Sequence, residues 1–138
     1  MNDVATRNEE LIRRLFERHN QSPEAFLASL EEFYDPEIEW TPVVVGGLEG
    51  RSYHGYEGWQ RYYTDREEVF GEGQVEVISC EPVGDDVIVA HIRSTGVGRG
   101  SGLATEHKIW SVAWFRDGRV FRQQVFTSRT QAYEAANA

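Results

Sequence analysis

A chain of 138 residues with 40% hydrophobic and 12% aromatic side chains is long enough to form one domain, 1–138, with a core of its own. Its formal net charge of −9 argues against a generally basic surface for nucleic acid. One cysteine, Cys80, excludes an internal disulfide and a cysteine-built metal cluster. The charge is uneven: residues 1–40 carry 4 basic against 10 acidic groups, residues 41–90 carry 3 against 10, and residues 91–138 carry 7 against 3. The late segment is therefore locally basic, which suits either an anionic ligand or a solvated strand face. Residues 1–18 are charged and lack a continuous apolar run, so neither a signal peptide nor a membrane span is expected, and the cytoplasm is the default location.

A first helix is expected over 3–19, with Leu11, Ile12, Leu15, Phe16 and His19 on one stripe. A second begins where Ser22 can cap and Pro23 suits the first turn. It buries Phe26, Leu27, Leu30 and Phe33 or Tyr34, and Asp35-Pro36 ends it. Ile38-Glu39-Trp40 alternates like a half-buried strand. Residues 42–50 are irregular and apolar enough to rim a pocket. A third helix over 56–70 places Trp59, Tyr62, Tyr63, Arg66, Val69 and Phe70 on one face, and Gly71 and Gly73 close it. Strands follow over 75–83, 87–95, 103–115 and 120–127, joined by glycine-containing turns. Ser128 and Gln131 then form a capping box for a short helix over 132–136. Helices followed by a run of strands make an α+β protein.

Four phrases, in order along nearly the whole chain, resemble one family: Asp35-Pro36-Glu37-Ile38-Glu39-Trp40, Tyr53-His54-Gly55-Tyr56-Glu57-Gly58, Gly98-Arg99-Gly100-Ser101-Gly102 and Arg116-Asp117-Gly118-Arg119-Val120. They are similar to the SnoaL-like branch of the nuclear transport factor 2-like superfamily. The resemblance implies a cone-shaped roll, with a curved antiparallel sheet wrapped around three N-terminal helices and a pocket inside. The superfamily includes polyketide cyclases, ketosteroid isomerase, epoxide hydrolases, dehydratases and non-catalytic binders, so the fold alone names no reaction. Where the isomerase pattern needs a base, a tyrosine and a second carboxylate, this chain has Thr41, Leu15 and Ser111. The cyclase acid is also missing near Ser111. Arg93 is a candidate for the arginine of the epoxide hydrolases, without an inward aspartate pair to flank it.

Alternation along 87–95 puts Val87, Val89, His91 and Arg93 on one face and Ile88, Ala90, Ile92 and Ser94 on the other. The resemblance places the first set inward. With the glycine loop symmetric about Arg99, His91 falls opposite His107, their Cβ atoms roughly 4.5–5.5 Å apart; a one-residue bulge breaks that register. Two neighbouring imidazoles in an apolar cone resist double protonation, so one stays neutral as a general base while Arg93 steadies an anionic or enolate oxygen. The plainer alternative is two satisfied core or rim histidines. Two imidazoles are too few for a metal site, and none is expected.

The third long strand would turn Ser111 inward. For the last strand, a two-residue turn at Asp117-Gly118 faces 120, 122, 124 and 126 inward. A three-residue loop, with Gly118 in the left-handed conformation, faces 121, 123, 125 and 127 inward and is preferred because it keeps Arg122 out; Gln123 is then the polar inward residue. Trp40, Tyr53, Trp59, Tyr63 and Phe16, with Ser111 and Gln123, would line the ligand site, against the alternative of plain core packing. His19 and Tyr34 sit at helix ends, within possible reach of the pocket or in solvent. Trp110 and Trp114, with Ile88 and Ile92, would form an outer apolar face for a homodimer. No phosphate-cradling motif is present, so no cofactor is expected. Three function classes stay open: a proton-shuttling isomerase, cyclase or dehydratase on a small apolar or anionic metabolite, a non-catalytic binder, and a dimeric scaffold with a filled cone.

Overall fold

The computed structural model describes residues 3–42, 52–67, 70–98 and 104–138. The amphipathic stripe of α1 (Asp3–Gln21) buries Leu11, Ile12 and Leu15. α2 (Pro23–Leu27) starts where Ser22 Oγ accepts the Ala25 N–H at 3.0 Å, with Pro23 in its first turn. The expected single helix then breaks. Ser29 turns its hydroxyl back onto the Ala25 carbonyl at 2.8 Å, and helix resumes only as the short α3 (Leu30–Phe33). Tyr34 is already extended and opens β1 (Tyr34–Thr41), which carries Asp35-Pro36 inside it. Pro36 cannot donate to a ladder, and the β1 pairing is irregular between Tyr34 and Glu39, across that proline.

β2 (Tyr53–His54) leads directly into α4 (Gly55–Glu67). Both glycines of that junction have a reason to be there. Gly55 has φ +73°, and a Cβ on Gly58 would lie 2.9 Å from the Tyr53 carbonyl carbon, so only glycine lets the helix sit on the strand. α4 stops earlier than its aromatic spacing suggests. Phe70, expected on the helix, begins β3 (Phe70–Pro82) and pairs with Gly98 of β4 (Val87–Gly98), a case of ladder pairing overriding helical spacing. β5 (Ala104–Arg116) and β6 (Arg119–Phe126) complete a six-stranded curved open sheet of order β2-β1-β6-β5-β4-β3. β1 and β6 run parallel; the other neighbours are antiparallel. The end of α1 guards the free edge of β3: the Asn20 amide donates to the Val75 carbonyl at 2.7 Å and accepts the Val75 N–H at 2.9 Å, as a strand would.

The β5–β6 hairpin turns on two residues, Asp117 (φ 52°) and Gly118 (φ 82°), with Arg116 opposite Arg119. The three-residue loop favoured from sequence is thus replaced by the two-residue alternative. Gln123 still faces inward. Phe115 pairs with Val120 but Trp114 pairs with Arg122, so Phe121 is an extra residue that flips the alternation.

The sheet has two faces of different character. On the inner face Ile88, Ala90, Ile92, Ala113, Phe115 and Val120 join Leu11, Ile12, Leu15, Phe26, Leu30 and Phe33 in the main core. On the outer face Val89 and Val112 are buried under Ala132 and Ala136 of α5 (Arg129–Asn137), whose N-cap Ser128 accepts the Gln131 N–H at 3.3 Å. The expected faces of β4 are therefore reversed: Val87, Val89, His91 and Arg93 lie outside. The reason is register. β4 and β5 pair with His91 opposite Trp110 and Ser94 opposite His107, three residues away from a loop symmetric about Arg99. Ile88 and Ile92, placed at a partner interface from sequence, are each only 1% exposed and packed under the helices, so they contribute nothing to the outer surface. Trp110 and Trp114 do lie on the outer face, half-buried and packed against the α5 cluster. None of the described helices is long and apolar enough to cross a membrane.

Candidate functional site

One cross-strand row on the inner face runs Ile88–Ala113–Gln123–Trp40–Tyr53. It sets a glutamine beside a tryptophan beneath the helices. Gln123 is the centre of a buried polar chain: Tyr34 Oη donates to its Oε1 at 2.7 Å, and its Nε2 donates to Ser111 Oγ at 2.9 Å. Tyr56 Oη donates to the Tyr34 carbonyl at 2.8 Å. Burial pushes the Tyr34 phenol well above its usual range, and negative charge on Tyr63 would push it further, so Tyr34 stays protonated.

Above this chain stand aromatic walls. Trp40 stacks on Trp59 with centroids 4.5 Å apart and planes 16° from parallel. Phe26 meets Trp59 edge-on at 5.0 Å, Tyr34 lies 5.1 Å from Trp59, and Tyr62 closes on Trp40 at 5.5 Å. Tyr53 Oη donates to Asp65 Oδ2 at 2.7 Å, tying β2 to α4. At the α1 end, His19 Nδ1 shares a hydrogen bond with the Tyr63 hydroxyl, and the imidazole also packs edge-on against Phe26 at 5.7 Å. Neither indole Nε1, of Trp40 or of Trp59, has a partner among the described residues.

The sequence-derived ligand residues Trp40, Tyr53, Trp59, Tyr63, Ser111 and Gln123 are all buried in this one region, and Phe16 packs half-buried against it. The expected histidine pair is not brought together. His91 stacks flat on Trp110 on the outer face, at 4.7 Å and 2° between planes, with Nε2 buried and unpaired among the described residues. His107 sits exposed opposite Ser94, on the other face of the sheet. Arg93 lies outside, its Nη2 2.8 Å from Glu76 and its Nη1 4.0 Å from Glu106, and these carboxylates raise its pKa. It borders an outer groove of about 480 Å³ with Gln74, Val75, Glu76, Thr95 and Glu106. Sequence patterns place His19 on the α1 stripe and Tyr34, as the alternative to Phe33, on the buried face of the second helix, without joining either to its partner. His19 carries a usable signal, its place on the α1 stripe, whereas the Tyr34–Gln123 bond spans 89 positions and leaves no local trace. Cys80 packs half-buried against the inner core, where burial pushes its thiol up to about 11, too high for a thiolate at neutral pH. Among the described residues no three His, Cys, Asp or Glu side chains converge as metal ligands.

Solved structures share this architecture at low identity. A protein of Jannaschia sp. CCS1 assigned to the SnoaL-like polyketide cyclases superposes with a TM-score of 0.77 at 20% identity, covering 100% of this chain and 96% of that one. TerC, co-crystallised with polyporic acid, gives 0.74 at 17% over 96% and 99%. SalBIII, an epoxide hydrolase/cyclase-like enzyme of pyran ring formation in salinomycin, gives 0.72 at 14% over 94% and 96%. At such identities the likeness establishes fold alone. Among curated proteins, none matches this sequence. The model of the SnoaL-like domain matches residues 11–123, most of the chain and all the elements that build the aromatic site, so the protein belongs to the SnoaL-like domain family.

Proposed function

We propose that the protein binds a small apolar metabolite between its helices and the inner sheet face and moves a proton on it, as a cofactor-independent isomerase or cyclase. The observation that carries this reading is the His19–Tyr63 hydrogen bond, an imidazole coupled to a buried phenol against aromatic walls. A histidine is the side chain whose unperturbed pKa suits proton transfer near neutral pH. Joined to a phenol, it can take a proton from one substrate atom and deliver one to another without a metal or cofactor. The histidine-mediated transfer expected from sequence is thereby moved from the sheet to the helix side. Fold relatives lend support: one is an enzyme of pyran ring formation and one is co-crystallised with polyporic acid.

A second reading, a binder or scaffold with a side-chain-filled cone, draws on the mutual hydrogen bonding of Tyr34, Gln123 and Ser111. A thermal-shift screen of apolar and anionic metabolites, followed by turnover assays, separates the two. For a stabilising compound that is turned over, His19→Gln should slow turnover by about 100-fold or more while changing affinity only a few-fold. Unchanged turnover in that variant removes His19 from the chemistry. If no compound stabilises the wild type, the filled cone is correct.

A further inference from the structure

We infer that the indole N–H groups of Trp40 and Trp59 are paired donors for a carbonyl oxygen on the ligand. This rests on the binding region proposed above and specifies what occupies it. The two side chains are 6% and 4% exposed, and neither Nε1 has a hydrogen-bond partner among the described residues. Indole nitrogen can only donate. Leaving such a donor buried and unpaired destabilises a protein, and buried tryptophans usually find an acceptor. Here two unpaired donors occur in one stacked pair.

The surrounding polar groups have already made their bonds. Tyr34 is committed to Gln123, Gln123 to Ser111, Tyr56 to the Tyr34 carbonyl and Tyr53 to Asp65. Among the described residues of this cluster the two indoles remain, and Trp40 is the lateral neighbour of Gln123 on the cross-strand row. What fits two donors between aromatic faces is a group that accepts and does not donate. Free carboxylates are disfavoured because the cluster of Phe26, Tyr34, Trp40, Trp59 and Tyr62 would desolvate the charge. A neutral, flat ketone or quinone-like carbonyl meets both requirements. If proton transfer creates an enolate, the same N–H groups gain strength as charge grows on that oxygen.

The test uses two probes of one ring skeleton, 1-tetralone and tetralin, which differ by the carbonyl. Both are titrated into full-length ¹⁵N-labelled protein, with the four indole resonances assigned through single Trp→Phe variants. Tetralone should bind about tenfold or more tightly than tetralin and move the Trp40 and Trp59 Nε1–H signals downfield, leaving Trp110 and Trp114 in place. Trp40→Phe/Trp59→Phe, which keeps aromatic rings and removes both donors, should erase the preference. The wild-type shifts stand as evidence if that variant does not fold. Equal affinity for the two probes, or a preference that survives in the double variant, overturns the donor role while leaving the binding region intact. Binding of neither probe, when other compounds stabilise the protein, overturns the carbonyl class. If no compound of any kind stabilises the wild type, the binding region falls as well.

Discussion

The two faces of this sheet are made by the same strands and solve the burial of polar groups in opposite ways. On the inner face polar side chains are few, and Tyr34, Gln123 and Ser111 bond to one another in a buried chain. On the outer face they are many and mostly exposed or half-exposed, and several are paired: Arg93 against Glu76, and Arg122 over Trp114 at 4.3 Å. Water screens the outer pairs, which are therefore worth little each. Nothing screens the inner chain, where every partner counts. The difference bears on the function proposed above: the outer arginine is already neutralised by its neighbours, which favours the inner region as the place for chemistry.

The sharpest way to break this contrast is to remove one aromatic from each face. Phe26 touches His19, Tyr34, Trp59 and Tyr63 and is fully buried. Phe26→Ala should cost about 3–5 kcal/mol. Trp110→Ala removes a larger but half-buried ring whose main partner is His91, and should cost about 1–2 kcal/mol. Urea denaturation of both variants measures this. Equal losses would mean that the outer face is as tightly covered as the inner one.

A finer test compares neighbouring glutamines that point to opposite faces. Gln123→Leu strands the Tyr34 hydroxyl without its acceptor and should cost about 2–3 kcal/mol. Adding Tyr34→Phe should return about 1 kcal/mol of the additive sum, since both ends of one bond are then gone. Gln124→Leu, on the half-buried outer side, should stay within about 0.5 kcal/mol of wild type. If the double-mutant cycle shows strict additivity, the Tyr34–Gln123 bond is not coupled and the inner chain is incidental.

Much of the architecture is legible in the amino-acid sequence. Element order, the caps at Ser22 and Ser128, and the inward placement of Ser111 and Gln123 follow from period, turn chemistry and resemblance. The faces of β4 are not legible, because faces are set by register, and register depends on a loop whose symmetry the sequence does not reveal; a shift by three residues moves His91 and Arg93 outside together. Gln123 faces inward as expected although the turn is shorter than expected, because the Phe121 bulge compensates for the missing loop residue. The His19–Tyr63 and Tyr34–Gln123 bonds join distant segments, and alternation within one strand carries no information about either.

The smallest effect is a pH trend at consecutive residues of β1. Tyr34 points inward and its phenol is raised by burial, so the stability it confers is held below the unfolded value near 10 and lost as pH rises. Asp35 points the other way. Its carboxylate accepts the Glu37 N–H at 2.8 Å and meets Arg116 Nη2 at 3.2 Å, and these two contacts, the first the larger, lower its pKa from 3.8. Its contribution is therefore complete above the unfolded pKa and disappears as pH falls through the lowered folded value. Asp35→Asn keeps an oxygen for the Glu37 N–H but loses the charge facing Arg116. Thermal melts across the acid range should show wild type ahead of the variant near neutrality, with the gap closing below pH of about 4. A gap that persists unchanged into acid would assign the Asp35 effect to shape and hydrogen bonding, and would leave the outer charges without even the modest role given them here.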